Sequence, residues 1–204
     1  MLHRIQVRRL LILLIATLAA TSPGAALAMM YHYRMDPKAS AVSVSVKEPA
    51  SGFGGYAEGV FKIIDGEVAF DSDNPANGTV SLILDASSYH SNKEERDHAV
   101  SDTLDADKYP TIRFESTGLS NTTRSSDTDG SATVNGDLTL HGRSLPLSFP
   151  VSVEITSDAS KLVAEGEVTF KYTDWGIKPP TIFFFSAGDE ASISFHITAT
   201  RVTN

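Results

Sequence analysis

The sequence predicts an all-β fold, an antiparallel up-and-down barrel or a sandwich with one added helix. Apolar residues alternate with polar residues along most of the chain, turn-forming pairs separate these runs, and a single segment departs from the alternation. Alternation with a period of two places one face of each strand against an apolar interior and the other in water, as antiparallel sheets do. A parallel α/β sheet would instead show continuous apolar strands between amphipathic helices.

The first 28 residues predict a cleaved secretory leader and not a part of the fold. Arg4, Arg8 and Arg9 precede an apolar run over residues 10–20, and Ala26-Leu27-Ala28 provides the small-x-small pattern of a signal-peptidase site. This apolar run is too short to span a bilayer, which needs about twenty residues. We therefore expect cleavage near Ala28, one domain over residues 29–204, and a location in the periplasm or outside the cell.

Charge and composition exclude several classes of function. Residues 29–204 contain 14 Lys and Arg against 25 Asp and Glu, a net charge of −11, so a nucleic-acid partner is not expected. The absence of cysteine from the sequence excludes disulfides, a thiolate nucleophile and cysteine-based zinc sites. A secreted domain without disulfides must therefore be stabilised by a real apolar core, and a chain of this length can bury one.

Nine strands follow in order from the alternation and the turn signals. We predict them near residues 40–47, 58–64, 67–71, 79–85, 111–118, 132–141, 145–156, 162–172 and 190–201. Asp65-Gly66, Asp129-Gly130 and His141-Gly142 fall between runs and predict hairpin turns.

One helix is predicted over residues 93–103. Ser91 followed by Glu94 resembles a capping box, and Val100 and Leu104 lie on one side of the helix. A single helix in an antiparallel barrel commonly covers an open end, and we place this helix there.

The same segment carries the strongest candidate for a metal site, and we favour a charged surface instead. Glu94 and His98 share a helix face and could supply two ligands. The segment does not match the metalloprotease motifs, and Lys93 and Arg96 lie among the acidic residues, as on a solvated face. Since no nucleophile elbow or carboxylate pair is evident either, we predict a protein that is not an enzyme, with no catalytic residues, no metal and no required cofactor.

Large apolar residues are concentrated near connections. Phe53 and Tyr56 occupy a glycine-rich stretch, while Trp175 and Ile177 precede a Lys-Pro-Pro sequence that Ile182, Phe183, Phe184 and Phe185 follow closely. These residues could form a cluster beneath a loop or the wall of a lipophilic pocket. An eight-stranded barrel is just wide enough to be filled by side chains or to hold one small ligand, and the alternation does not choose between the two.

Several distinctive segments occur in a fixed order along the chain: residues 65–70 (DGEVAF) with 74–75 (NP), 95–97 (ERD), 108–116 (KYPTIRFES), 134–142 (VNGDLTLHG) and 145–147 (LPL). Their order and spacing resemble the YceI-like family of polyisoprenoid-binding periplasmic proteins, over about residues 42–200. The resemblance implies an extended antiparallel lipocalin-like barrel of about eight strands, one helix covering an end, and a long apolar cavity for an isoprenoid or similar long-chain lipid. Residues 99–104 depart from the family pattern by lacking two aromatic groups, so one wall of the cavity is expected to differ.

From the resemblance and the apolar pattern we expect fourteen residues to line this cavity. They are Phe53, Tyr56, Phe61, Phe70, Leu82, Val100, Leu104, Phe114, Leu138, Leu140, Phe170, Trp175, Ile177 and Phe195. The expected function is to sequester or carry a polyisoprenoid, an isoprenoid quinone or a similar apolar ligand, without stable membrane insertion and with a homodimer as one allowed state. The alternative is a structural or stress-protective domain with a filled barrel that acts through protein partners.

Overall fold

The computed structural model describes residues 29–48, 55–182 and 185–203. The strands are β1 (Met30–Met35), β2 (Ala41–Lys47), β3 (Tyr56–Phe61), β4 (Ile63–Asp71), β5 (Thr79–Asp85), β6 (Thr111–Arg124), β7 (Asp129–Leu140), β8 (Arg143–Ile155), β9 (Lys161–Lys171), β10 (Thr181–Ile182), β11 (Phe185–Ser186) and β12 (Glu190–Arg201). The α-helix α1 spans Glu94–Thr103, and short 3₁₀ helices span Pro75–Asn77 and Tyr172–Trp175. The predicted leader, residues 1–28, lies outside the described residues.

Eight antiparallel strands close into a barrel, which confirms the predicted fold. The neighbours around the ring are β1, β4, β5, β6, β7, β8, β9 and β12, and pairing of Tyr33 with Arg201 joins β1 to β12. Closure removes most of the free edges that an open sheet would present. The ring encloses an interior that the alternating apolar residues face.

Strand β12 has two partners on one of its sides. Its first half pairs with β2, from Ala191 opposite Val46 to His196 opposite Ala41, and its last residues pair with β1. Strand β3 then pairs with β2. These two strands extend the wall beside the first half of β12, at the end of the barrel that α1 covers.

The two ends of the barrel differ. The helix end carries α1 and the turn at His141-Gly142, and the hairpin end carries the turns at residues 125–128 and 156–160. At the helix end, Leu140 pairs with Arg143 and both turn residues have positive φ, which confirms the predicted tight turn there. The turn before β7 spans residues 125–128, so Asp129 and Gly130 begin the strand.

The predicted hairpin at Asp65-Gly66 is wrong, because both residues lie inside β4. Strand β4 pairs with β1 and β5 and not with β3, and its register shifts between Ile63 and Asp65. Gly66 serves a different purpose from a turn glycine, since a Cβ atom there would collide with the side chain of Met35 on β1. A side chain of the neighbouring strand that lies over Gly66, and not a reversal of the chain, accounts for this glycine.

Helix α1 lies where the sequence predicts it, but its cap differs. The N-cap residue is Lys93, which makes no side-chain capping hydrogen bond. Ser91 lies two residues earlier, and both its backbone N–H and its hydroxyl donate to the carboxylate of Asp97, at 2.8 and 2.6 Å. The hydroxyl of Ser91 therefore fixes the approach to the helix, and no capping box with Glu94 forms.

Candidate functional site

The barrel encloses an apolar cavity of about 1320 Å³. This exceeds the roughly 300–1,000 Å³ typical of sites for small molecules. Inward-facing residues of the barrel strands, of β2 and β3, and of α1 form its wall, and most of them are Val, Leu, Ile, Ala or Phe. The interior is thus hollow, and its surface can exchange contact with water for contact with an apolar molecule.

Most of the residues expected at the cavity lie on its wall. These are Phe61, Phe70, Leu82, Val100, Leu104, Phe114, Leu138, Leu140, Phe170, Ile177 and Phe195. Helix α1 contributes Glu95, Arg96, Ala99, Val100 and Thr103 to the wall, and Leu104 follows directly after it. The wall under α1 therefore lacks aromatic side chains.

Tyr56 occupies a different position from the one expected. It lies on the outer face of β3, and its side chain is 57 % exposed. On β3 the inward positions are Ala57, Gly59 and Phe61, so the period of two places Tyr56 outside. Phe53, Phe183 and Phe184 lie outside the described residues, and so does the side chain of Phe185.

Trp175 is buried behind the wall and does not line the cavity. Its indole N–H donates to the carbonyl oxygen of Leu138 at 2.8 Å, and its ring meets the ring of Phe170 edge-on at 5.0 Å between centroids. Trp175 thereby holds the 3₁₀ helix Tyr172–Trp175 against β7 and β9, which supports two wall residues from behind.

Strand β1 contributes wall residues that the sequence reasoning missed. Tyr31, Tyr33 and Met35 line the cavity and alternate with His32 and Arg34. These residues alternate with a period of two, as in the other strands, but the alternation begins directly after the predicted leader and is not among the nine predicted strands. Phe149 on β8 also lines the cavity, but it is not among the fourteen expected residues, although it lies within a long alternating run.

Three aromatic rings stack near the hairpin end. Phe70 on β4 lies 5.4 Å from Tyr31 and 6.0 Å from Tyr33, measured between ring centroids. The hydroxyl of Tyr33 donates to the carbonyl oxygen of Ala159 at 3.1 Å, and burial raises the pKa of this phenol above its ordinary value. Tyr33 therefore stays neutral, and the guanidinium of Arg201 lies 4.5 Å from the centre of the Tyr31 ring in the same stack.

Charged residues of the wall are confined to the two ends. Those at the helix end are Lys47, Glu48, Lys93, Glu95 and Arg96. Those at the hairpin end are Arg124, Asp127 and Asp129, together with the hydroxyl-bearing residues Thr122, Thr123, Ser126, Thr128, Ser131, Thr156 and Ser157. An elongated ligand could keep its tail in the apolar middle and a polar head at either end.

Polar contacts hold α1 over the helix end. Arg96 forms an ion pair with Glu48 at the end of β2, at 2.8 Å. Asp97 accepts hydrogen bonds from Ser91 and lies 3.1 Å from Nδ1 of His90, and these contacts, led by the hydroxyl of Ser91, lower the pKa of its carboxyl group. The backbone of His90 in turn pairs with that of Val60 on β3. Helix α1 has no buried residue, so it covers the barrel without entering the core.

The part of the predicted charged surface that carries Glu94 and His98 lies away from the cavity. Glu94 and His98 are 3.7 Å apart, and both side chains are largely exposed. Within the described ranges no group of three His, Cys, Asp or Glu is placed to hold a metal ion. In the same part of the chain no helix has the length and apolar character needed to cross a membrane.

Solved structures share this fold, and two of them align over most of this chain. BcnA from Burkholderia cenocepacia aligns with a TM-score of 0.68 and 24% sequence identity, over 81% of this chain and 99% of BcnA. A polyisoprenoid-binding domain from Saccharophagus degradans, implicated in plant cell wall breakdown, aligns with a TM-score of 0.63 and 13% identity, over 83% of this chain and 98% of that domain. At these identities the similarity establishes the barrel architecture.

Curated relatives extend the similarity to the sequence. A UPF0312 protein of Pseudomonas putida is 33% identical over 175 residues, which cover 80% of this chain and 88% of the relative. A UPF0312 protein of Ectopseudomonas mendocina is 33% identical over 156 residues, 74% of each chain. The family model for the YceI-like domain matches residues 33–199. The chain belongs to the YceI-like family.

Proposed function

We propose that this protein binds a long apolar ligand, a polyisoprenoid, an isoprenoid quinone or a similar lipid, and sequesters or carries it without catalysis. The observation that carries the proposal is the apolar cavity of about 1320 Å³ inside the closed barrel. The polyisoprenoid-binding domain of Saccharophagus degradans has the same architecture, which supports the choice of ligand class.

The driving force for binding is the removal of apolar surface from water. Burial of apolar area contributes roughly 25 cal/mol per Å², reduced by the entropy lost when a flexible tail is ordered. Since the middle of the cavity offers few polar partners, affinity depends on the fit of the tail. The head group then remains at one of the polar ends.

The predicted leader supports a site of action in the periplasm or outside the cell. A carrier there would move or store a lipid between membranes in an aqueous compartment. The charged ends and the outer face, with ion pairs such as Arg34 with Glu67 at 3.0 Å, suit a protein that stays in water.

A filled barrel that acts only through protein partners is the alternative function. The hollow interior favours the carrier, because a stable filled barrel would pack side chains where this one has space. Neither the helix end nor the hairpin end supplies a separate observation in favour of the alternative.

The experiment is native mass spectrometry of the protein purified from its secretion route without detergent, followed by extraction with organic solvent and identification of the extract. The carrier predicts a stoichiometric apolar adduct, or uptake of a prenol, quinone or fatty amide on incubation. An apo mass that stays unchanged after all three incubations would refute the proposal.

Ala164→Phe and Ala57→Ser form a matched pair for this test. Both alanines line the cavity, but only the first substitution fills space within it. The carrier predicts that Ala164→Phe lowers uptake while Ala57→Ser retains it. Equal uptake by both variants would show that the adduct lies outside the barrel.

A further inference from the structure

Three phenylalanines from alternate strands form a continuous aromatic band on the cavity wall. Phe114 on β6, Phe149 on β8 and Phe195 on β12 all line the cavity. The ring of Phe149 lies 5.2 Å from that of Phe114 and 5.6 Å from that of Phe195, measured between centroids, with tilted and edge-on geometry. These distances are typical of attractive aromatic pairs, so the three rings support one another.

Glycines occupy the two intervening strands at the places that the rings cover. A Cβ atom on Gly136 of β7 would lie 2.5 Å from Cζ of Phe114, and one on Gly166 of β9 would lie 2.5 Å from Cζ of Phe195. Neither glycine belongs to the cavity wall, because the rings lie over both of them. Alternation of large and small residues is how small barrels fit side chains around their interior. Here it lets three large rings fit side by side on one stretch of the wall, and their positions bound the space in front of them.

The aromatic band ends in aliphatic residues on both sides. Leu82 of β5 pairs with Phe114, and Val42 of β2 pairs with Phe195. The band therefore spans five neighbouring strands and is bounded by flexible or small side chains. Rigid rings in mutual contact cannot withdraw separately, whereas Leu and Val next to them adapt more easily.

We propose that the aromatic band limits the cross-section of the tail that the cavity accepts, so that it admits acyclic isoprenoid chains and disfavours ring-bearing ones. This inference rests on the proposed function, since it concerns the selectivity of the same cavity. Phe149 is the central element, because it alone contacts both other rings. The width of the cavity beside the aromatic band then depends on Phe149, a position that the family resemblance did not identify.

The test compares two probes, geranylgeraniol and retinol, which are isoprenoid alcohols with the same number of carbon atoms. Retinol carries a cyclohexenyl ring on a rigid conjugated chain, so it is wider and stiffer than geranylgeraniol, and the change of preference in the Phe149 variants isolates the effect of width. Affinities are measured by retinol fluorescence and by displacement of retinol with geranylgeraniol. We expect the wild-type protein to prefer geranylgeraniol, and Phe149→Ala to reduce that preference by about tenfold, or about 1.4 kcal/mol, chiefly through tighter binding of retinol.

Phe70→Ala is the matched control, because Phe70 also lines the cavity but belongs to the separate stack with Tyr31 and Tyr33. It should weaken both probes by similar factors and leave their ratio unchanged. Phe149→Leu, a milder substitution, should shift the ratio in the same direction by less, and circular dichroism checks that each variant folds.

Two results would overturn the inference in distinguishable ways. If the wild-type protein binds both probes and the ratio is the same in folded Phe149→Ala and Phe149→Leu, the aromatic band does not set the width and the carrier function stands. If the wild-type protein binds neither geranylgeraniol nor retinol, nor any adduct in the mass-spectrometric experiment, the carrier function fails and the selectivity fails with it.

Discussion

Replacement of Trp175 by phenylalanine tests whether this side chain stabilises the cavity wall without contacting the ligand. Trp175 is the single tryptophan of the chain and is 3 % exposed. Its N–H donates to the carbonyl oxygen of Leu138, but the side chain does not reach the cavity. The substitution Trp175→Phe keeps an aromatic ring against Phe170 and removes the donor.

The expected loss of stability follows from two contributions. A buried hydrogen bond removed on one side costs about 1–3 kcal/mol. The smaller ring also buries less apolar area, which costs about 1 kcal/mol at roughly 25 cal/mol per Å². We therefore expect the free energy of unfolding to fall by about 2–4 kcal/mol, which for a chain of this size lowers Tm by roughly 5–15 °C.

Urea and thermal unfolding followed by far-ultraviolet circular dichroism measure this change without tryptophan fluorescence. Tyr56→Phe is the control, because it removes one hydroxyl from an exposed ring and should alter stability by no more than about 0.5 kcal/mol. Ligand affinity of folded Trp175→Phe should equal that of the wild-type protein.

Two outcomes would refute this reasoning. A loss of stability no larger than that of Tyr56→Phe would mean that the hydrogen bond from Trp175 to Leu138 contributes nothing. A loss of ligand affinity in the folded variant would mean that Trp175 contacts the ligand directly.

Three further predictions concern a turn, a charge and the cavity. Gly142→Ala should lower the free energy of unfolding by more than about 1 kcal/mol, because Gly142 has φ of 74° and a Cβ atom there would meet the ring of Tyr109. Urea titration measures this change, and an unchanged midpoint of unfolding would contradict the prediction. The pKa of Asp158 is lowered from 3.8 to about 2, first by the hydroxyl of Thr156, so the stabilising contribution of this carboxylate is present above pH 3.8 and is lost as the pH falls toward 2. The Tm difference between the wild-type protein and Asp158→Asn should therefore be largest at neutral pH and shrink in acid, and a difference that stays constant with pH would exclude this linkage. Ala164→Phe should retain the Tm of the wild-type protein within a few degrees while lowering ligand uptake, and a collapse of Tm would show that the space beside Ala164 is too small for the ring.

The strands could be predicted from the sequence because their alternation is a local property. The inward residues of β8 and β12 follow directly from a period of two, and so do their approximate bounds. Asp65-Gly66 misled the prediction, since a glycine that admits Met35 on a neighbouring strand looks the same in sequence as a turn glycine. Whether such a glycine forms a turn or makes room for a neighbouring side chain depends on a contact between residues far apart in the chain.

The hollow interior could not be predicted from the alternation, because it depends on how the strands are arranged relative to one another. Phe195 and Gly166 lie opposite each other on neighbouring strands, yet nothing within either strand indicates that a ring will cover the glycine. Likewise Tyr56 is an aromatic residue in an apolar region, and only the phase of β3 places it outside the barrel. The family resemblance supplied the cavity, and register decides which side chains face it.

The position of β12 also determines when the protein can fold. This strand is the last one that the structure describes, and it borders β9, β2 and β1 at once. Until β12 has been synthesised, those three strands have open edges, and an N-terminal fragment would present them to other chains. Because the closing pairs join residues as distant as Tyr33 and Arg201, the high contact order slows folding, and the barrel cannot close before β12 has been synthesised.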